Sequence, residues 1–306
     1  MEQITTDFLK NTLETQYAKT QVNSILEGLT KSRKTTIRVN TIKTCMTEIK
    51  EILEKEEISF KEVPWNDFAL IIENADESRI RKLQIYNNGE IYMQSLSSMI
   101  PPIVLNPQAN ESILDMAAAP GGKTTEMACL SNNQAMITAC EKNKIRCDKL
   151  KYNLEKQGVN RITIMQEDAR KLSDFFKFDK ILLDAPCSGS GTINITDSNL
   201  EKYFSKELYI RAIKTQKELL EKAAKIVKIG GEIVYSTCSV LKDENEKIIQ
   251  NILNKNNFEI VPINMNITEI PILPTTIEGT LCVCPTKIYE GFYVAKIKKI
   301  KWKERI

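Results

Sequence analysis

Histidine is absent from the chain. That removes the commonest proton shuttle and the commonest metal ligand, so any acid or base here must be a carboxylate, thiol, lysine, tyrosine or water. No apolar run approaches membrane-spanning length, and Met1-Glu2-Gln3-Ile4-Thr5-Thr6-Asp7 lacks the charged and apolar stretches of a secretory signal. A cytoplasmic protein that contacts no membrane is expected. The eight cysteines include no C-x-x-C pair, so neither a zinc cluster nor a disulfide framework is expected, and no metal. Cys282 and Cys284, two residues apart with no third ligand nearby, are expected to pack.

Repeats and low-complexity tracts are missing too. What is present is 306 residues, 42% hydrophobic and 27% charged, enough for one large core or two modest ones. The net charge of +3 is unevenly distributed: residues 31–43 carry Lys31, Arg33, Lys34, Arg38 and Lys43 without an acid. The tail after Ala295 carries Lys296, Lys298, Lys299, Lys301, Lys303 and Arg305 against Glu304 alone. Two such segments suit a phosphate backbone, although charge alone is better described by a solvated face and a frayed tail.

Residues 7–29 have helical spacing and read as a docked N-terminal arm, 1–30. A small α+β unit, 31–108, follows, with strands near Thr36–Val39, Ile58–Val63, Phe68–Ile72 and Glu90–Met93. Pro101-Pro102-Ile103-Val104-Leu105-Asn106-Pro107 breaks the pattern and sets the boundary near Gln108. In 109–306 strands alternate with helices, which predicts a doubly wound, mostly parallel α/β sheet; Phe258–Val261 and Phe292–Ile297 bring the expected strands to seven.

The first strand of that unit runs into Leu114-Asp115-Met116-Ala117-Ala118-Ala119-Pro120-Gly121-Gly122-Lys123-Thr124. Small residues and two glycines at a helix start let a ligand approach the backbone, though tight packing would select the same residues. The run is not a Walker A loop, which needs glycine where Met116 or Ala117 stands. Glu141, Asp168 and Asp184 each follow a successive strand on one sheet edge. Singly each could cap a helix. As a set they describe a site for adenosine with a charged amino-acid tail: Glu141 for the ribose hydroxyls, Asp168 for the adenine amino group, Lys123 for a ligand carboxylate or for Asp184.

Two further turns carry one thiol each after a buried strand: Asp184-Ala185-Pro186-Cys187-Ser188-Gly189 and Ser236-Thr237-Cys238-Ser239. Polar turns of this kind are arranged for covalent chemistry at a sheet's carboxyl edge rather than for core packing.

Asp115–Thr124, Asp184–Gly189 and Ser236–Ser239 resemble the motifs of the RNA cytosine-C5 methyltransferases of the Nop2/Sun/Fmu type, which use S-adenosyl-L-methionine. The resemblance covers nearly all the chain after about residue 36, including Arg38-Val39-Asn40-Thr41, Gln94-Ser95-Leu96-Ser97-Ser98-Met99, and Arg146, Leu150, Asn153 and Gly158. It implies a Rossmann-like class I methyltransferase domain after a small RNA-recognition-like domain. It implies cofactor contacts at Ala117, Ala118, Pro120, Gly121, Gly122, Lys123, Glu141, Arg146, Asp168 and Asp184. It makes Cys238 the thiol that attacks C6 of cytosine and Cys187 the one that assists release, with Asp184 bonded to the cytosine ring and Lys123 favouring the thiolate. DNA cytosine methyltransferases use a Pro-Cys after the fourth strand, which here would be Cys187; the second thiol argues against that assignment.

Gln94–Pro107 and Gly279-Thr280-Leu281 are most similar to archaeal enzymes that methylate tRNA, so tRNA is the expected partner, with ribosomal RNA as runner-up. A non-catalytic RNA-binding assembly factor is the alternative of another class. The C-terminal motif departs from the family, with Leu281-Cys282-Val283-Cys284-Pro285 where an arginine usually precedes proline. Substrate choice is therefore expected to rest on the small domain, the basic tail or a partner protein.

Overall fold

The computed structural model describes residues 2–198, 200–255 and 257–301; Lys303, Glu304 and Arg305 of the basic tail lie outside the described residues. The N-terminal stretch forms two helices, α1 (Glu2–Gln16) and α2 (Lys19–Gly28), where the sequence suggests one. The chain turns at Tyr17, whose hydroxyl donates to the Val240 carbonyl at 2.7 Å. Both helices send their apolar faces, Leu9, Leu13, Val22 and Ile25, into one core with Phe204, Leu219 and Ile233.

The small unit comprises β1 (Thr36–Val39), α3 (Met46–Lys55), β2 (Phe60–Val63), β3 (Asn66–Ile72), α4 (Glu77–Lys82), α5 (Gln84–Asn87) and β4 (Ile91–Met93). Its four strands pair antiparallel in the order β2-β3-β1-β4, over a core that includes Ile37, Val39, Ile49, Leu53, Leu70 and Ile91.

Next comes α6 (Leu96–Leu105), which runs straight through Pro101 and Pro102. The expected break at these prolines does not occur. Proline at these positions removes two N–H donors and frees the carbonyls four residues earlier, at Ser97 and Ser98. The side-chain amide of Gln94 donates to the Ser98 carbonyl at 3.2 Å, and Ser95 caps the helix start by accepting the Ser98 N–H at 3.3 Å. Tertiary burial supplies the rest: Leu96, Met99, Ile100 and Leu105 share a core with Leu182, Val234, Phe292 and Val294 of the large sheet.

The large unit continues with β5 (Ser112–Asp115), α7 (Gly122–Leu130), β6 (Met136–Cys140), α8 (Lys144–Lys156), β7 (Ile162–Met165), β8 (Phe178–Asp184), α9 (Leu200–Tyr203), α10 (Lys206–Ile226) and β9 (Val227–Thr237). It closes with α11 (Glu246–Leu253), β10 (Phe258–Ile260), β11 (Ile272–Leu273), β12 (Leu281–Val283) and β13 (Phe292–Lys299). Strands β7-β6-β5-β8-β9 are parallel; β13 pairs antiparallel with β9, β10 and β12, and β11 extends the edge. Among the described residues the sheet has nine strands rather than the expected seven; the two added, β11 and β12, are two and three residues long, too short to show alternation in sequence. The chain leaves β5 toward β6 and β7, then returns to β8 and β9 on its other side. The crevice at the carboxyl ends of β5 and β8 is therefore the topological switch point, where open α/β sheets bind ligands.

In the basic segment 31–43 several charges are taken up by partners within the protein, although Lys31 and Lys43 stay exposed. Arg33 donates to the carbonyls of Thr192 and Gly191 at 3.0 and 3.1 Å. Lys43 donates to those of Asn88 and Lys156 at 2.8 and 2.7 Å. Lys34 pairs with Glu73, Lys31 with Glu27 at 3.3 Å, and Arg38 is buried between the two units. Arg33, Arg38 and Lys43 fasten their segment to the large unit, whereas the Lys31 and Lys34 pairs stay within the arm and the small unit.

Candidate active site

The small-residue loop after β5 turns at Gly121, whose φ of 109° lies in the left-handed region; a Cβ there would meet the Leu150 side chain at 3.0 Å. The turn delivers the start of α7 to the switch point. A cavity of about 240 Å³ opens there, bounded by Asp115, Ala117, Ala118, Pro120, Gly122, Lys123 and Asp184, and roofed by Tyr92, Gln94, Ser95 and Ser98 from the small unit and α6. Ala117 also lines an adjoining recess formed by Glu141, Arg146, Asp168 and Pro186. The expected cofactor residues thus line two spaces that share Ala117, except Gly121, which acts through its backbone.

In the recess, Glu141 is buried and accepts the Asn143 N–H at 2.8 Å. Arg146 approaches Glu141 at 3.6 Å and donates to the Ala119 carbonyl at 2.7 Å, so it braces the loop as well as lining the space. Asp168 is gripped on both oxygens by Arg170, which holds its carboxyl down at about 2. A carboxylate has about four acceptor positions; Glu141 keeps some of its own for a ligand, whereas Asp168 already takes four contacts from the Arg170 backbone and guanidinium.

Asp115 is a residue that the motif reading left unassigned. It is 1% exposed; its Oδ2 accepts from Thr124 at 2.7 Å, while Oδ1 meets no donor among the described residues. Burial pushes its carboxyl up to about 6 against the Thr124 hydrogen bond. Its place as the last residue of β5, before the small-residue run, was the available signal.

Lys123 and Asp184 form an ion pair of 2.7 Å across the crevice. The Lys123 ammonium also donates to Ser98 Oγ at 2.6 Å, and Ser236 donates to the other Asp184 oxygen at 2.8 Å. Burial works against the Lys123 charge, but Asp184 first, then Cys238 and Asp115, outweigh it and raise its pKa.

The two thiols meet because β8 and β9 are neighbours with Asp184 opposite Ser236. Beyond those partners the loops stay tied: the Ala185 N–H donates to the Ser236 carbonyl at 2.8 Å and the Gly191 N–H to the Cys238 carbonyl at 3.0 Å. Cys187 and Cys238 are free and half-buried, with their sulfurs 3.2 Å apart. The Cys187 thiol is pushed well above its usual range, chiefly by its hydrogen bond to Cys238, then by burial and the nearby negative charge of Glu244.

A third cavity, about 420 Å³ and lined by Arg33, Lys34, Asp76 and Ile288, shares Met93, Gln94, Ser95 and Glu290 with the first. Among the described residues no group of three His, Cys, Asp or Glu could hold a metal ion, and no helix is long and apolar enough to cross a membrane.

Residues 102–298 match the family described as 16S rRNA methyltransferase RsmB/F, and residues 6–77 match the ferredoxin-like domain of RsmF/B-like methyltransferases. Ribosomal RNA small subunit methyltransferase F of Shewanella sp. (strain ANA-3) is 32% identical over 311 residues, covering 98% of this chain and 64% of its own length. That of Vibrio cholerae serotype O1 (strain M66-2) is 35% identical over 291 residues, 92% of this chain and 61% of its own. The chain thus spans less than two thirds of the length of these relatives. Among solved structures, a methyltransferase homolog protein from Pyrococcus horikoshii superposes with a TM-score of 0.79 at 31% identity, over 95% of this chain and 99% of that one. NSun6 from the same organism, at 24% identity over 96% and 98%, gives 0.85 and speaks to the fold alone. The expected Rossmann-like methyltransferase fold with a small preceding domain is borne out, and the chain belongs to the RsmB/F family of 16S rRNA methyltransferases.

Proposed function

We propose that this chain is an S-adenosyl-L-methionine-dependent RNA cytosine-C5 methyltransferase whose substrate is small-subunit ribosomal RNA. The observation that carries the reading is the pair of free thiols 3.2 Å apart beside the Lys123–Asp184 ion pair at the switch point. The tRNA expected from sequence gives way to ribosomal RNA, the substrate named for the curated relatives.

The residues fit such a cofactor. Glu141 offers a carboxylate acceptor for ribose, Asp168 can accept from adenine by giving up one of its four Arg170 contacts, the unmatched Asp115 Oδ1 offers an acceptor for an ammonium, and the N–H groups at the start of α7 suit a carboxylate. Bound there, the cofactor supplies an electrophilic methyl group on a sulfonium. Arg146 holds the Ala119 carbonyl and so keeps the loop open for it.

C5 of cytosine is a weak nucleophile. Addition of the Cys238 thiolate to C6 moves electron density onto C5 and divides one hard step into easier ones. Lys123, coupled electrostatically to Cys238, favours that thiolate, while Cys187 keeps its proton. Asp184, fixed by Lys123 and Ser236, takes the hydrogen bond of the cytosine amine and stabilises the charge that builds on the ring. After methylation the C5 proton passes to water, its electron pair forms the C5–C6 double bond and the Cys238 sulfur leaves C6 by β-elimination; Cys187, in contact with Cys238, serves that release by giving its proton to the departing sulfur. The target base must leave its stack to reach the crevice.

The test is methyl transfer from labelled cofactor to small-subunit ribosomal RNA and, separately, to tRNA, with 5-methylcytosine read in each. Label in ribosomal RNA is expected; label in tRNA alone overturns the substrate, and none in either favours the assembly-factor reading. For the cofactor site, Glu141→Ala is expected to weaken binding by about tenfold or more, since two hydrogen bonds to a charged acceptor disappear. Titration calorimetry checks this, and an unchanged affinity removes Glu141 from the ribose contact.

A further inference from the structure

A buried carboxylate that the mechanism above does not use joins the two thiol-bearing loops. Glu244, in the turn between β9 and α11, is 0% exposed. Its Oε1 accepts the Ser188 N–H at 2.7 Å and the Gln216 side-chain amide at 3.3 Å. Its Oε2 accepts the hydroxyls of Ser188 and Ser239, each at 2.6 Å. Ser188 follows Cys187 and Ser239 follows Cys238 in the chain. One side chain therefore binds the residue next to each thiol, from two loops and with a third anchor on α10.

The surroundings repeat the arrangement. The Ser190 and Ser239 hydroxyls lie 2.8 Å apart, Tyr235 donates to the Glu244 carbonyl at 2.6 Å, and the Asn245 amide donates to the Ser239 carbonyl at 2.9 Å. Burial pushes the Glu244 carboxyl up, and the Ser188, Ser239 and Gln216 donors pull it back. A buried charge is a poor way to fill space, because an apolar side chain of similar volume is often as stable or more so. What an acceptor-only group does supply is direction: it fixes several donors at once, and an active-site geometry is only as tight as the residues that support it.

We propose that Glu244 is the positioning residue that holds Cys187 and Cys238 against each other. Its catalytic consequence rests on the proposed function, whereas the thiol spacing does not. Glu244→Ala frees both loops and should lower kcat with little change in cofactor affinity. Glu244→Gln should rescue: its oxygen can keep the Ser188 N–H and Gln216, while its amide donates to hydroxyls that rotate to accept.

The deciding experiment reads spacing directly, without RNA. Phenylarsine oxide condenses with two thiols only when they are close, and mass spectrometry counts one arsenic per chain; Cys187→Ser and Cys238→Ser define the background from the other cysteines. Rapid chelation is expected in the wild type and in Glu244→Gln, and chelation slowed by about tenfold or more in Glu244→Ala, with iodoacetamide still modifying each thiol singly. Wild-type chelation in folded Glu244→Ala overturns the proposal. If that variant does not fold, the Ser188→Ala/Ser239→Ala double variant, which keeps the carboxylate and two of its donors, decides by the same comparison: slowed chelation supports the role and a wild-type rate overturns it. A wild type that chelates arsenic yet methylates no RNA sinks the proposed function and leaves the positioning role standing.

Discussion

Cys238→Ala is expected to lower kcat for RNA methylation by at least about 10⁴-fold, or 5.5 kcal/mol, while Cys187→Ala leaves RNA covalently attached to the protein. Alanine at 238 removes the only group assigned to raise electron density on C5, and Cys187 is a poor substitute because, even with its Cys238 contact gone, burial and the negative charge of Glu244 still push its thiol up. Alanine at 187 leaves attack and methyl transfer intact and slows the step that frees the product. A denaturing gel of each variant with cofactor and ribosomal RNA distinguishes the roles. A slow-migrating band in Cys187→Ala that disappears in the Cys187→Ala/Cys238→Ala double variant is the expected result. A band in Cys238→Ala instead would exchange the two assignments, and residual turnover near the wild-type rate in Cys238→Ala would end the covalent mechanism.

The second large effect is on stability. Arg38, 2% exposed, reaches from β1 into the large unit. Its guanidinium donates to Gln94 Oε1 at 3.1 Å, Cys129 at 3.3 Å and Thr125 at 2.8 Å, lies 4.0 Å from the buried Glu126 carboxylate, and sits 5.7 Å from the Tyr92 ring centroid. Arg38→Ala leaves a cavity and an unpaired amide oxygen and removes the guanidinium beside the buried Glu126 carboxyl, for a cost of about 3–5 kcal/mol in the unfolding free energy from urea titration. The loss should also depend on pH. Burial pushes the Glu126 carboxyl from 4.5 up to about 8, with Arg38 and Gln94 pulling it back. A carboxyl raised on folding takes up a proton, so stability falls as pH rises between the unfolded and folded values and levels off above the upper one. Without Arg38 the upper value rises further. The wild type should level off near pH 8 and the variant should keep losing stability, so its deficit widens between about pH 6 and about pH 9. An equal deficit at both values would mean that Arg38 acts on Glu126 only through packing.

Because Gln94 bonds to Arg38, Glu126 and the Ser98 carbonyl at once, this cluster also fixes the start of α6 and the face of α7 that bears Lys123. Ser98 in turn accepts from Lys123, so the small unit is connected to the ion pair at the active site through two hydrogen-bonded steps.

Local pattern was enough for the elements that carry the chemistry. The strand before Asp184, the small residues from Ala117 to Gly122 and the acids at strand ends are short-range features, and each lies where its spacing suggests. Three features misled. The prolines at 101 and 102 read as a break because sequence cannot show that Gln94 takes up a freed carbonyl. Strands β11 and β12 were invisible because two or three residues have no period. The run Lys31–Lys43 reads from charge as a solvated face or a phosphate track because charge in sequence does not reveal that Arg33, Arg38 and Lys43 bond to carbonyls and buried partners.

By itself the sequence determined which groups are available and in what local frame: no histidine, two thiols on polar turns after strands, a lysine at a helix start, and carboxylates at successive strand ends. Only the tertiary structure decided which of these meet. Residues 187 and 238 are far apart along the chain, and their sulfurs come within 3.2 Å because β8 and β9 are adjacent in the sheet with Asp184 opposite Ser236. That adjacency, like the closing of Glu244 on Ser188 and Ser239, depends on which strand neighbours which and in what register, a non-local choice set by the packing of the whole core.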